Sequence, residues 1–300
     1  MSENKFQLFE PEVIDTKDIK KPQKQENSLS LKDKYHWIFP LAFFLIGLVG
    51  LQVFSLIVSQ ILLSTSLVND MATLNAYNNF ITYVLTFITM LVVFIFANKK
   101  AQTFNSVLLS FKKGSTYALS AATYMMSMII LSLYSLITTL IYKYTSLEPN
   151  VNANQSSLQY VMDAQPVITY ITVVFLGPFV EEMAYRLGLF ELVRRKNTVL
   201  AFIISGLVFG LLQFDFANCF IDPTNKEFAF QATYFLNEII NLPSYVISGL
   251  VFAYAYNLTG TLTVPLLAHM INNFIAATMM LLPQQSGEIT SLIGKFIWKI

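Results

Sequence analysis

The sequence predicts an all-α, polytopic membrane protein with seven or eight transmembrane helices. Two observations carry that class. Only 12% of the 300 residues are charged, against about 25% in soluble domains, and mean hydropathy is +0.55. The apolar residues also fall into separate runs with few or no charges, most of them long enough, alone or with an extension, to approach the ~20 residues needed to cross a ~30 Å hydrocarbon core.

Taken in order, residues 1–34 hold seven Lys and seven acidic residues with no sustained apolar period. They read as a disordered cytoplasmic tail, ahead of a transmembrane domain over 35–300. Tyr35–Asn69 carries no charge and suits one tilted span with an extension. His36 and Trp37 stand at its start, where interfacial aromatics belong. Further spans read as Phe80–Ala97, Tyr117–Ile141, Val167–Leu192, Val199–Phe220, Pro243–Tyr256 with an upstream extension, and Leu262–Leu282. Ile289–Ile300 is apolar, with Lys295 and Lys299, and reads as a short eighth helix or an interfacial segment. No internal repeat is visible.

Lys99, Lys100, Lys112 and Lys113 follow the second span, and Arg194, Arg195 and Lys196 follow the fourth. Loops rich in Lys and Arg stay in the cytoplasm. The expected protein is therefore integral to the cell membrane, with its N-terminus cytoplasmic. A net charge of +1 leaves no footprint for nucleic acid. The single cysteine, Cys219, excludes an internal disulfide and a multi-cysteine metal site, and reads as a small apolar residue. No signal peptide is expected, because the polar stretch before the first apolar run is too long for an n-region.

Three spans place polar groups at membrane depth. The fourth carries Glu181, Glu182 and Arg186, the fifth Gln213, and the seventh His269 and Asn273. Ionised side chains cost roughly +2.5–3.5 kcal/mol each on insertion scales, so they persist where they are paired or used. Glu182 and Arg186 are i,i+4 on a helix and can pair. Glu181 is turned about 100° away and is left for other work. His269 and Asn273 share one helical face. Each group also has a structural reading: an ion pair joining two helices, or interhelical hydrogen bonding. Asn272 and Glu238 read as structural or interfacial.

Together the three segments resemble the CPBP family of intramembrane proteases, also described as CAAX-type or Abi proteins. That family carries Glu-Glu-x-x-x-Arg, Phe-x-x-x-His and His-x-x-x-Asn on successive membrane segments. The first motif stands here as Glu181, Glu182 and Arg186, and the third as His269 and Asn273. The approach through Ser248-Gly249 and Asn257–Leu262 is similar too, and the likeness covers about residues 165–280. In the second motif Phe209 matches, but Gln213 stands at the histidine position.

The resemblance implies an endopeptidase cleaving near the membrane face, on a hydrophobic or lipidated peptide and among membrane lipids. Glu181 would be the base, Gln213 would replace the base's histidine partner, and His269 with Asn273 would face the oxyanion. Glutamine orients water but cannot relay a proton. The family is often labelled as metalloproteases. A catalytic zinc, however, wants three protein ligands, and the implied site has one histidine, two glutamates and two amides. The reading therefore favours no metal cofactor and a glutamate-activated water. The missing histidine supports a rival: a catalytically silent member acting as a membrane scaffold or immunity factor. A small transporter using Glu181 and Glu182 is a third reading, weakened by the lack of repeated halves. Gly177-Pro178, Pro243 and Pro265 mark where spans are expected to bend around a wet cavity.

Overall fold

The computed structural model describes residues 37–65, 68, 70–101, 110–145, 147–148, 153–221 and 227–282. The tail over 1–34 and the segment 289–300 lie outside them. Long helices dominate: α1 Ile38–Thr65, α2 Met71–Ala101, α3 Gly114–Tyr144, α4 Ala153–Ala164, α5 Pro166–Arg194, α6 Thr198–Leu211, α7 Ala232–Thr259 and α8 Thr263–Leu281. Among the described residues the only bridge pairing is a single antiparallel one between Ile221 and Phe228. The chain is an all-α polytopic membrane protein. Six of these helices (α1, α2, α3, α5, α7 and α8) are long and apolar enough to cross a bilayer, and α6 is a shorter apolar helix.

Two expectations need correction here. The fifth span, read as Val199–Phe220, is helical only to Leu211. Fourteen residues rise about 21 Å, short of a hydrocarbon core. The chain then turns through Gln213, and Asp215 accepts from the Asn218 amide at 3.1 Å to start one separate turn. A side chain that captures the backbone in this way competes with helix continuation. Residues 153–164, read as loop, form α4, which buries Val161 and Met162.

One proline accounts for a local change in helix winding. Thr172–Leu176 is a wide π-helical turn just ahead of Gly177-Pro178, and Met183–Phe190 is another. Such turns occur mostly as single insertions, often at functional sites. Proline removes an N–H and crowds the preceding turn, so a looser turn upstream relieves both. Pro243 lies inside α7. Pro265 is different from its expected role: it sits in the first turn of α8, where the missing N–H has no partner to lose.

α5 is the central element. Half of its apolar window is buried, against 11% for α1. Close approach makes this possible. A Cβ on Gly188 would meet the Phe44 backbone nitrogen at 2.8 Å, so α1 and α5 cross nearly backbone to backbone. α6 and α7 touch through Gly206, Gly210 and Gly249 in the same manner. Small residues at such crossings substitute packing for the hydrophobic effect that lipid does not supply. Met90, Val180, Met183, Leu187 and Phe190 fill the centre. Leu56, Leu136 and other large side chains face outward, as lipid contact requires.

Candidate active site

The polar residues of α5 and α8 meet in the bundle's interior, and the fork of Arg186 organises them. Arg186 and Glu182 are both fully buried. Arg186 Nη2 donates to Glu182 Oε1 at 3.2 Å, and Nε approaches Oε2 to 2.9 Å. The second contact is a charge contact off the N–H axis, so the aligned hydrogen bond is the first. Arg186 Nη1 also donates to Ser205 Oγ at 3.3 Å. The guanidinium carbon lies 6.0, 5.5 and 5.9 Å from the ring centres of Tyr185, Phe209 and Phe252. Aromatic faces attract a cation at these distances, most when water is excluded. Phe209 thus packs a cation while its edge meets the His269 ring.

His269 stands between the two glutamates. Its Nδ1 is 3.1 Å from Glu182 Oε1, and its Nε2 is 3.9 Å from Glu181 Oε2. The ring stacks on Phe252, with centres 4.9 Å apart. Glu182, paired with Arg186, offers His269 a carboxylate acceptor, which suits the tautomer with the proton on Nδ1. That tautomer leaves Nε2 as an acceptor facing Glu181. Glu181 itself keeps 21% of its side-chain surface exposed, while Glu182 has none. The difference decides their division: Glu182 is structural support, and Glu181 opens into space.

That space is a cavity of about 980 Å³ lined by Glu181, Gln213, His269 and Asn273, among others. The four residues singled out from three separate segments therefore face one cavity. Asn273 Nδ2 donates to the Val173 carbonyl at 2.9 Å, which leaves its second N–H for the cavity. Val173 lies in the π-helical turn of α5. Gln213 is placed differently from a mid-helix residue. It lies two positions beyond α6, and its Oε1 accepts from Asn154 of α4 at 2.9 Å.

Residues 163–275 match the family model described as type II CAAX prenyl endopeptidase Rce1-like. The match covers just over a third of the 300 residues. No curated protein and no solved structure matches the chain. The matched segment holds Glu181, Glu182, Arg186, Gln213, His269 and Asn273, while Asn154 lies outside it.

The donors of this Rce1-like site do not fit a zinc ion. Glu182 is committed to Arg186 and His269, which leaves Glu181 and His269 Nε2. A catalytic zinc is held by three protein ligands. Among the described residues no three His, Cys, Asp or Glu side chains are grouped to hold one ion. Cys219 is fully buried away from the cluster, its Sγ 3.2 Å from the Asp215 carbonyl. Burial, with Glu238 and Asp215 nearby, pushes its thiol up from the ordinary range, which makes it a poor nucleophile.

Sequence reasoning missed several supports, whereas Glu238, read from the sequence as structural or interfacial, is one in the structure. Ser205, Tyr185 and Phe252 surround Arg186 without any motif to announce them. Glu238 accepts from the Asp215 amide at 3.0 Å and so pins the turn that carries Gln213. A buried acid in a span with no basic residue nearby in sequence was the available signal. Glu191 is a second buried acid, held by Arg194 at 2.6 Å and by the Tyr256 hydroxyl at 2.7 Å. Asn154 carries no sequence signal at all.

Proposed function

We propose that the chain is an intramembrane endopeptidase of the CAAX-protease type, hydrolysing a peptide bond near the membrane face with a water activated by Glu181. The observation that carries this is the pair of acceptors, Glu181 Oε2 and His269 Nε2, 3.9 Å apart at the cavity wall. Both are within hydrogen-bond reach of one water placed between them. The water's oxygen attacks the peptide carbonyl carbon while its proton passes to Glu181. The tetrahedral intermediate carries the negative charge on the former carbonyl oxygen. The second N–H of Asn273 is the donor available to it, in the manner of side-chain oxyanion holes. Collapse breaks the C–N bond, and Glu181 returns the proton to the leaving nitrogen. The products are one new carboxyl terminus and one new amine.

His269 is better suited to sharing the proton than to binding the oxyanion, because its one N–H is directed at Glu182. In this way an imidazole from α8 supports the base although position 213 lacks one. Glu182 and Arg186 hold that imidazole in place. The residues proposed for the site are thus Glu181, Glu182, Arg186, Gln213, His269 and Asn273. The proposed substrate is a hydrophobic or lipidated peptide, met in the cell membrane with the protein's N-terminus in the cytoplasm. No cofactor is needed for this chemistry.

The test is hydrolysis of a quenched peptide library by the purified protein in detergent, with and without chelator. Cleavage that survives chelation is the expected result. Cleavage abolished by chelator and restored by stoichiometric zinc would overturn the metal-independent reading. Cleavage of no peptide under any condition would favour the silent-scaffold alternative, for which Gln213 is the supporting observation.

A companion variant addresses Gln213 directly. Gln213→His adds a proton-relay group facing the same cavity and is expected to raise turnover about tenfold or more, up to the ~10²–10⁴ attributed to such groups. The gain should vanish in a double variant with Glu181→Gln. An unchanged rate would mean that His269 already supplies the relay and that position 213 only places the turn.

A further inference from the structure

Six of the helices that line the cavity do so mainly toward the same end, and α4 lies along it from Asn154 to Val161. α2 contributes Asn75 and Asn79 from its first turns, and its last turn carries Lys99 and Lys100. α3 begins beside Lys112 and Lys113 and reaches the cavity only at Tyr142, near its finish. In α5 the cavity touches the half from Thr169 to Glu181, and Arg194 lies about 20 Å further along the axis. α6 starts next to Arg195 and Lys196 and delivers Gln213 past its far end. α7 lines it from Asn241 to Phe252, leaving its last turns out, and α8 from His269 to Met280, leaving its first turns out. Six helices of alternating direction thus agree on one end, the end away from all the basic loops.

The lining has a second property. It is rich in side-chain amides: Asn75, Asn79, Asn154, Gln155, Asn241 and Asn272 stand around the approach. Each amide both donates and accepts, as a peptide group does. Among the described lining residues there is no Lys or Arg, and Glu181 is the sole acid. A terminal carboxylate brought to this depth would meet a glutamate and no accessible cation, since Arg186 is fully buried behind Glu182. Such a charge is costly when unpaired.

We infer that the cavity opens on the extracytoplasmic face and takes an uncharged internal segment of a translocated peptide rather than a free C-terminal carboxylate. The inference rests on the peptidase reading for the word substrate, and on the charge bias of the loops for the word extracytoplasmic. α4 lies across this approach: Asn154 bonds to Gln213, and Gln165, just past the end of α4, bonds to Thr73 of α2 at 3.4 Å. A peptide strand entering here would exchange these amide bonds for its own, and its apolar flanks would remain in lipid.

The test separates sidedness from catalysis. In a Cys219→Ser background, Asn79→Cys reports the cavity and Lys112→Cys reports the basic end. Each is treated with a charged, membrane-impermeant maleimide in right-side-out and in inside-out membrane vesicles. Asn79→Cys should label in right-side-out vesicles and Lys112→Cys in inside-out ones. The opposite pattern would overturn the assignment of face and leave the peptidase reading standing. For the substrate class, an acetylated, C-terminally amidated heptapeptide of uncharged residues should slow Asn79→Cys labelling at least fivefold. The same peptide with a free C-terminus should protect at least fivefold less well. Equal protection, better protection by the free acid, or none by either would refute the substrate class. Labelling needs no turnover, so it reads out even if no peptide is cleaved.

Discussion

Replacing Glu181 by glutamine is expected to reduce peptide hydrolysis by at least about 10²–10⁴-fold, the range for a general base, with little change in folded yield. Glutamine keeps the side chain's shape and can still hydrogen-bond to a water, but it cannot take the proton. Glu181 is part-exposed to the cavity and has no arginine partner of its own, so neutralising it leaves no buried charge behind. The measurement is turnover of a cleaved peptide, paired with the yield of monodisperse protein after extraction. Retained turnover would remove Glu181 from the chemistry. Lost turnover together with lost yield would assign it to the fold.

Arg186→Ala is expected to have the opposite profile. It strips the counter-ion from Glu182, which has no exposed surface. Breaking a buried pair from one side costs about 3–5 kcal/mol, because the remaining charge is uncompensated. The vacated space among Tyr185, Phe209 and Phe252 adds a packing loss. His269 would then lose its fixed acceptor as well, since nothing holds the Glu182 carboxylate in place. Folded yield and thermal midpoint should fall sharply. Removing both charges, as Glu182→Leu with Arg186→Met, should recover part of that stability but no activity. Equal yields for Arg186→Ala and Glu181→Gln would contradict the division between support and chemistry.

The bundle was readable because membrane depth makes errors expensive. Long apolar runs with few charges read as spans, and six of them are long helices in the structure. Reading failed where local hydrogen bonding competed with hydropathy. The apolar run after Val199 continues to Phe220, but Asp215 caps a new turn and Glu238 grips its amide, so α6 stops early. Hydropathy alone has no view of that choice. α4 escaped notice because it is polar on one face and only 12 residues long.

At the site, the pairing of Glu182 with Arg186 followed from helical spacing, and the separate outlook of Glu181 from its 100° rotation. What spacing cannot express is the angle at which another helix arrives. His269 meets both glutamates because α8 packs against α5, and its ring is fixed by Phe252 from α7. Three helices define that imidazole's orientation, and no window along the chain contains all three. Gln213 was legible as a departure from a motif, but its bond to Asn154 depends on where α4 lies.

The most direct measurement of the central claim is cleavage of a peptide library in water enriched in oxygen-18, followed by mass spectrometry of the products. Water attack driven by Glu181 predicts new carboxyl termini carrying one oxygen-18 atom with the wild-type protein, and no new termini with Glu181→Gln. Labelled termini at equal rates from both proteins, or none from the wild type on any peptide, would contradict it.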